Sequence, residues 1–191
     1  MISITPRIIR KNLPCREGRK LLKTSFKSAY PNDDVRLKEN DTPISLLDIL
    51  DVGGLRYALW CLQLVKGYDD QIGALCVKFV QRVEMTDHHS LAAVATAERY
   101  YNGLASHKEL NTASDKAHGV WGKVAYGNSF TPIERKAWLA FNVSRHPNGI
   151  CQLDYISEWA ARVRGYDDEI VWQESQLRIL LNVNNSLGFN V

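Results

Sequence analysis

Val65-Lys66-Gly67-Tyr68-Asp69-Asp70-Gln71-Ile72 returns 98 positions later as Val163-Arg164-Gly165-Tyr166-Asp167-Asp168-Glu169-Ile170, all eight positions agreeing in identity or type. At the same offset the agreement reaches back to Tyr57 and Tyr155 and to Leu55 and Leu153. The pattern has a physical reading. A glycine in the left-handed conformation ends one helix, the tyrosine packs across the corner, and an aspartate caps the next helix and favours its positive end. The chain is therefore expected to be all-α, built of stacked helical hairpins, HEAT-like or an irregular bundle, with two related helix–Gly-Tyr-Asp-Asp–helix corners. The paired acids Asp69-Asp70 and Asp167-Asp168 read as caps, or as a duplicated acidic corner that touches a partner.

Outward from the corners, strand signals are scarce and apolar residues recur at helical spacing from residue 43 onward. Thr42-Pro43 offers a cap and a first-turn proline for a helix from Ile44 to Leu50, which Gly53-Gly54 breaks. Leu55, Ala58, Leu59, Leu62 and Val65 form the apolar face of a central helix, widened by Trp60 and Cys61. After Gly67, Asp69 or Asp70 caps a helix carrying Ile72, Leu75, Cys76, Phe79, Val80 and Val83; Asp87 or Ser90 opens the next, closed by Gly103. Ser106 with Glu109 three residues on makes a capping box for a helix that Gly119 and Gly122 can interrupt. Thr131-Pro132-Ile133-Glu134 starts another, His146-Pro147-Asn148-Gly149 is a turn, and helices over 151–163 and 168–182 complete the array. The organisation expected is a basic N-terminal helical subdomain or arm over 1–40, a helical-hairpin domain over 41–185 and a frayed tail over 186–191.

With 191 residues, 45% hydrophobic and 24% charged, the chain can bury a core, which excludes disordered, collagenous and membrane-embedded classes. No apolar stretch reaches spanning length and Met1 to Lys11 holds no signal-like run, so a cytoplasmic address without a membrane partner is expected. Cys15, Cys61, Cys76 and Cys151 are scattered, which favours reduced packing thiols over a disulfide frame or a zinc site. The net charge of +3 hides an asymmetry: residues 1–40 hold ten Lys and Arg against four Asp and Glu, so a basic arm precedes a mildly acidic body. On a helix starting after Pro14, Arg16, Arg19, Lys20, Lys23 and Lys27 share one face. That stripe is either a solvated face or a site for an acidic protein surface, with nucleic acid as the alternative partner. A pI of about 8.6 and few interleaved aromatics put the protein surface first.

Chemistry-bearing motifs are thin. Asp87-His88-His89 matches the trio that marks a class of metal-dependent phosphoesterases, yet adjacent helical histidines diverge by about 100° and rarely share a metal. His107 and His118 lie on one helix face three turns apart, too distant to chelate together. No GxSxG, HExxH, GxxxxGK[ST], GxGxxG or EF-hand spacing is present in the sequence. No catalytic residue, metal site or cofactor is assigned. Of the five tryptophans, Trp60 reads as core, while Trp172, beside Glu169, Gln173 and Gln176, is the one expected to stand exposed as a partner contact.

Ala58-Leu59-Trp60-Cys61-Leu62, Gly67-Tyr68-Asp69-Asp70, Cys76-Val77-Lys78-Phe79-Val80-Gln81-Arg82-Val83 and Ala97-Glu98-Arg99-Tyr100-Tyr101-Asn102-Gly103 carry a resemblance. The stretch from Leu46 to Leu110, about a third of the chain, resembles the helical immunity proteins of bacterial polymorphic-toxin and phage-associated loci. In that family a leucine-tryptophan-apolar run leads to a glycine corner, an apolar helix ending in Arg-Val, and a helix closing with Glu-Arg-Tyr-Ala-Asn-Gly. The chain departs from the pattern after residue 112, where Trp121 to Phe130 and the second corner replace long Ala/Tyr-rich repeats. Pro14-Cys15-Arg16-Glu17-Gly18-Arg19 looks like the openings of small phage-encoded proteins. The resemblance implies an all-helical, cytoplasmic, non-enzymatic inhibitor that neutralises a toxin or a host defence component by stoichiometric binding. The alternatives are a nucleic-acid-binding module using the basic stripe and a phosphoesterase at Asp87-His88-His89; the oligomeric state is not legible.

Overall fold

The computed structural model describes residues 2–12, 43–124, 132–144 and 153–186. They form two short strands, β1 (Ser3–Ile4) and β2 (Ile44–Ser45), and eight helices: α1 (Pro6–Asn12), α2 (Leu46–Leu62), α3 (Asp69–Gln81), α4 (His88–Tyr101), α5 (His107–Val124), α6 (Pro132–Ser144), α7 (Leu153–Arg164) and α8 (Tyr166–Ser186). The fold is all-α, a helical bundle, as the duplicated corner predicts. The basic stripe Arg16, Arg19, Lys20, Lys23 and Lys27, the thiols Cys15 and Cys151, the turn at 146–149, and 187–191 of the tail lie outside the described residues. The chain divides into two compact units, 1–67 with 174–191, and 68–173.

In the first unit, β1 and β2 pair antiparallel, with Ser3 opposite Ser45 and Ile4 opposite Ile44. Ile2, Ile4 and Ile9 are each 2% exposed, so the first dozen residues contribute to the core beside Leu46, Leu59 and Leu62. The helix expected from Ile44 opens at Leu46 instead. Ile44 and Ser45 belong to the strand, and the extended Ser45 is the cap, its hydroxyl accepting from Leu47 N at 3.1 Å. The Gly53-Gly54 break is a kink inside α2, where Gly54 takes φ 76° and ψ 175°. Beyond it Leu55, Ala58, Leu59, Cys61 and Leu62 are buried, whereas Trp60, expected in the core, is half-buried. Cys61 and Cys76 are both free and buried, and burial pushes the Cys61 thiol up to about 12. The later turns of α8 add buried Leu177 and Leu181, and Arg178 bridges Asp51 at 2.7 Å and Glu174 at 2.8 Å.

In the second unit α3 is the inner helix, burying Ile72, Leu75, Cys76, Phe79 and Val80 and packing against α4, α6 and α7. A linear stack brings only sequence neighbours together; here α4 also packs on α6, which makes this the irregular-bundle form. Gly73 lies so close to the Tyr101 ring that a methyl there would overlap it. Two helix starts follow the local rules. The Asp87 carboxylate accepts from Ser90 N at 2.7 Å, so the aspartate of the Asp-His-His trio is a cap. Ser106 and Glu109 close the capping box reciprocally, Glu109 N donating to Ser106 Oγ at 3.2 Å and Ser106 N to Glu109 Oε2 at 2.8 Å. Those Ser106 donors, with Arg99 beside them, hold the Glu109 carboxyl below the usual carboxylate range. α5 continues through Gly119 and Gly122 to Val124 without interruption. Among the described residues no helix is long and apolar enough to cross a membrane.

Candidate functional site at the second corner

Both corner glycines take positive φ, 83° at Gly67 and 112° at Gly165, where a β-carbon is strained. Past the glycine the copies diverge. Tyr68 is the N-cap residue of α3, 9% exposed, its carbonyl accepting from Ile72 N at 2.8 Å. It takes the place expected for an aspartate because the chain enters the helix immediately after Gly67. Asp69 and Asp70 therefore sit exposed in the first turn, where they favour the positive helix end but cap nothing. In the second copy Tyr166 is the first residue of α8 and is 54% exposed. Tyr68 is thus buried at its corner, whereas Tyr166 stands exposed at its own.

Beneath the second corner is a polar network that the first copy lacks. Glu169, the counterpart of exposed Gln71, is 1% exposed, and its Oε2 accepts from Arg82 Nε at 2.8 Å with Arg164 Nε at 3.2 Å. Arg164 also donates to the Arg82 carbonyl at 2.7 Å, which ties the end of α7 to the end of α3. On the inner side, buried Gln173 donates to Glu169 Oε1 at 3.3 Å and to the Ser157 carbonyl at 3.2 Å, and accepts from Ser157 Oγ. A buried carboxylate is tolerated when its lone pairs are occupied in this way. Both guanidiniums are fixed by it while keeping 33% and 41% of their side-chain surface in water.

Trp172, expected to stand exposed, is half-buried because the same network covers it. Its ring meets Phe79 edge-on at 6.1 Å, and the Arg82 guanidinium stacks 4.1 Å from its centroid. Arg82, Arg164, Gly165, Tyr166, Asp167, Asp168 and Glu169 line a cleft of about 400 Å³. The structure thus brings together Gly165, Tyr166, Asp167 and Asp168 from the sequence reading, with Trp172 beneath Arg82, and adds Arg82, Arg164 and Glu169. Sequence reasoning misses these three, although a signal exists: within an otherwise matched octapeptide, Lys66 becomes Arg164 and Gln71 becomes Glu169.

Elsewhere, the His88 and His89 rings lie with centroids 3.8 Å apart and planes tilted by 41°, and the Asp87 carboxylate is engaged as a cap. Among the described residues no three His, Cys, Asp or Glu side chains gather where they could hold a metal ion. What the second corner offers chemically is a rigid surface of exposed tyrosine, two anchored guanidiniums and flanking carboxylates. Comparison with family models, curated proteins and solved structures finds no match for this chain.

Proposed function

We propose that this protein acts by stoichiometric binding to another protein, and that the second corner is one of its contact surfaces. The observation that carries the reading is the contrast between two tyrosines in the same Gly-Tyr-Asp-Asp sequence. Tyr68 is buried at 9% exposure and serves packing, whereas Tyr166 stands at 54% beside arginines immobilised by Glu169. Tyrosine and arginine dominate binding hot spots because they bring large contact area and directional donors at small ordering cost. The Glu169 anchor lowers that cost further by fixing the guanidiniums before any partner arrives.

The partner class follows from the resemblance of Leu46 to Leu110 to helical immunity proteins: a toxin or a defence component, met in the cytoplasm and neutralised without catalysis. A photo-crosslinking residue at position 166, introduced in the cell the gene comes from, tests the reading. One discrete adduct is expected, of one copy of each protein, absent when the crosslinker replaces exposed Arg56. Identical adduct patterns from 166 and 56 would refute it.

A further inference from the structure

A second surface on the 68–173 unit carries an inference that goes beyond the corner and needs nothing from it. α4 and α5 leave between them a groove of about 330 Å³, whose lining includes His89, Ala92, Thr96, Lys108, Thr112 and Lys116. Small side chains open it, as Ala92, Ala113 and the two threonines leave the helices without bulk along this seam. Its polar atoms are unevenly satisfied. Thr96 Oγ1 donates to the Ala92 carbonyl at 2.7 Å and Thr112 Oγ1 to the Lys108 carbonyl at 2.9 Å, so both hydroxyl protons are engaged. Glu109, at the rim, is engaged by Ser106 N, Ser106 Oγ and, at 3.4 Å, Arg99. Among the described residues no carboxylate pairs with Lys108 or Lys116. The groove's uncompensated charge is therefore positive, carried by two ammonium groups with His89 on the opposite wall.

We infer that this groove receives an acidic segment of a protein partner. Lys108 and Lys116 lie eight residues apart on α5, about 12 Å along its axis. An extended chain rises about 3.3 Å per residue, so carboxylates four positions apart meet both lysines, about 13 Å apart. The residues between those carboxylates lie over Ala92, Thr112 and Ala113, whose small side chains leave the groove open. The groove thus selects two acids four positions apart.

The test is an NMR titration of the full-length protein with the peptide Glu-Ala-Ser-Ala-Glu, with Lys-Ala-Ser-Ala-Lys and inorganic phosphate as comparison probes. Amide shifts confined to α4 and α5 are expected with the acidic peptide alone. The dissociation constant should rise about tenfold in Lys108→Glu/Lys116→Glu, since two exposed attractions become repulsions. It should stay near parental in Lys66→Glu/Lys78→Glu, which carries the same charge change at exposed positions outside the groove. Lys108→Gln/Lys116→Gln gives a smaller loss and serves as the readout if the reversed pair impairs folding. Equal losses in the groove and control pairs, phosphate binding as tight as the peptide's, or no shifts along α4 and α5 would each overturn the inference. None of these results bears on crosslinking at Tyr166, so the two proposals fail separately.

Discussion

Glu169→Gln keeps the shape of the side chain and removes its charge, which makes it the sharpest probe of the second corner. The carboxylate holds Arg82 Nε at 2.8 Å and Arg164 Nε at 3.2 Å through Oε2, and the Gln173 amide at 3.3 Å through Oε1. A glutamine supplies one carbonyl oxygen and one NH2, and all its neighbours here are donors. Whichever way it turns, a donor faces a donor in a site that is 1% exposed. Hydrogen bonds to charged groups contribute about 1.5–3 kcal/mol each. The guanidiniums, at 33% and 41% exposure, regain water when released, so the loss corresponds to one such bond and not to two. The expected destabilisation is about 2 kcal/mol, below the 3–5 kcal/mol of a fully buried broken pair. Urea unfolding followed by tryptophan fluorescence and far-UV circular dichroism measures it, with Trp172 reporting locally because Arg82 stacks on it. In an Arg164→Met background the same change should cost less, since one of the donors it strands is already gone. A Glu169→Gln variant within about 0.5 kcal/mol of the parent would show that the network does not hold the corner.

Gly73→Ala should destabilise by about 1–2 kcal/mol, because overlap with the Tyr101 ring exceeds the gain in helix propensity. In a Tyr101→Ala background the sign should reverse, and equal effects in both backgrounds would refute the close approach. For Cys61, the folded protein keeps its thiol proton up to about pH 12 while the unfolded chain loses it near 9. Stability is therefore full below pH 9 and falls by at most about 1.4 kcal/mol per pH unit above it. The urea midpoint should fall less between pH 8 and 10.5 in Cys61→Ala than in the parent; the same fall in parent and variant would contradict the assignment.

What was legible in the sequence is what is decided locally. The Ser106–Glu109 box, the Asp87 cap and the positive-φ glycines at 67 and 165 each depend on residues within one turn, and each is found where the pattern puts it. The fates of Tyr68 and Tyr166 are not legible, because two tyrosines in the same Gly-Tyr-Asp-Asp sequence differ in what the rest of the fold packs on them. Glu169 is missed for the same reason. Its partner Arg82 is 87 residues away, and the change from Gln71 to Glu169 marks an acid three residues into a helix without saying that it is to be buried. Trp172 follows from Glu169: polar neighbours at 169, 173 and 176 suggest a wet face, but 169 and 173 point into a satisfied network that roofs the indole.

On the proposed function, the duplicated corner is structural in one copy and a contact surface in the other. Tyr68→Ala and Tyr166→Ala, measured side by side for stability and for affinity toward the partner captured at position 166, separate the two roles. Tyr68→Ala should lose about 3 kcal/mol of stability as a large buried side chain is truncated. Tyr166→Ala should stay within about 0.5 kcal/mol of the parent in stability, as exposed substitutions do. It should nonetheless bind the partner about thirtyfold more weakly, the scale of a hot-spot loss of about 2 kcal/mol. A Tyr166→Ala protein that binds with parental affinity would contradict the claim.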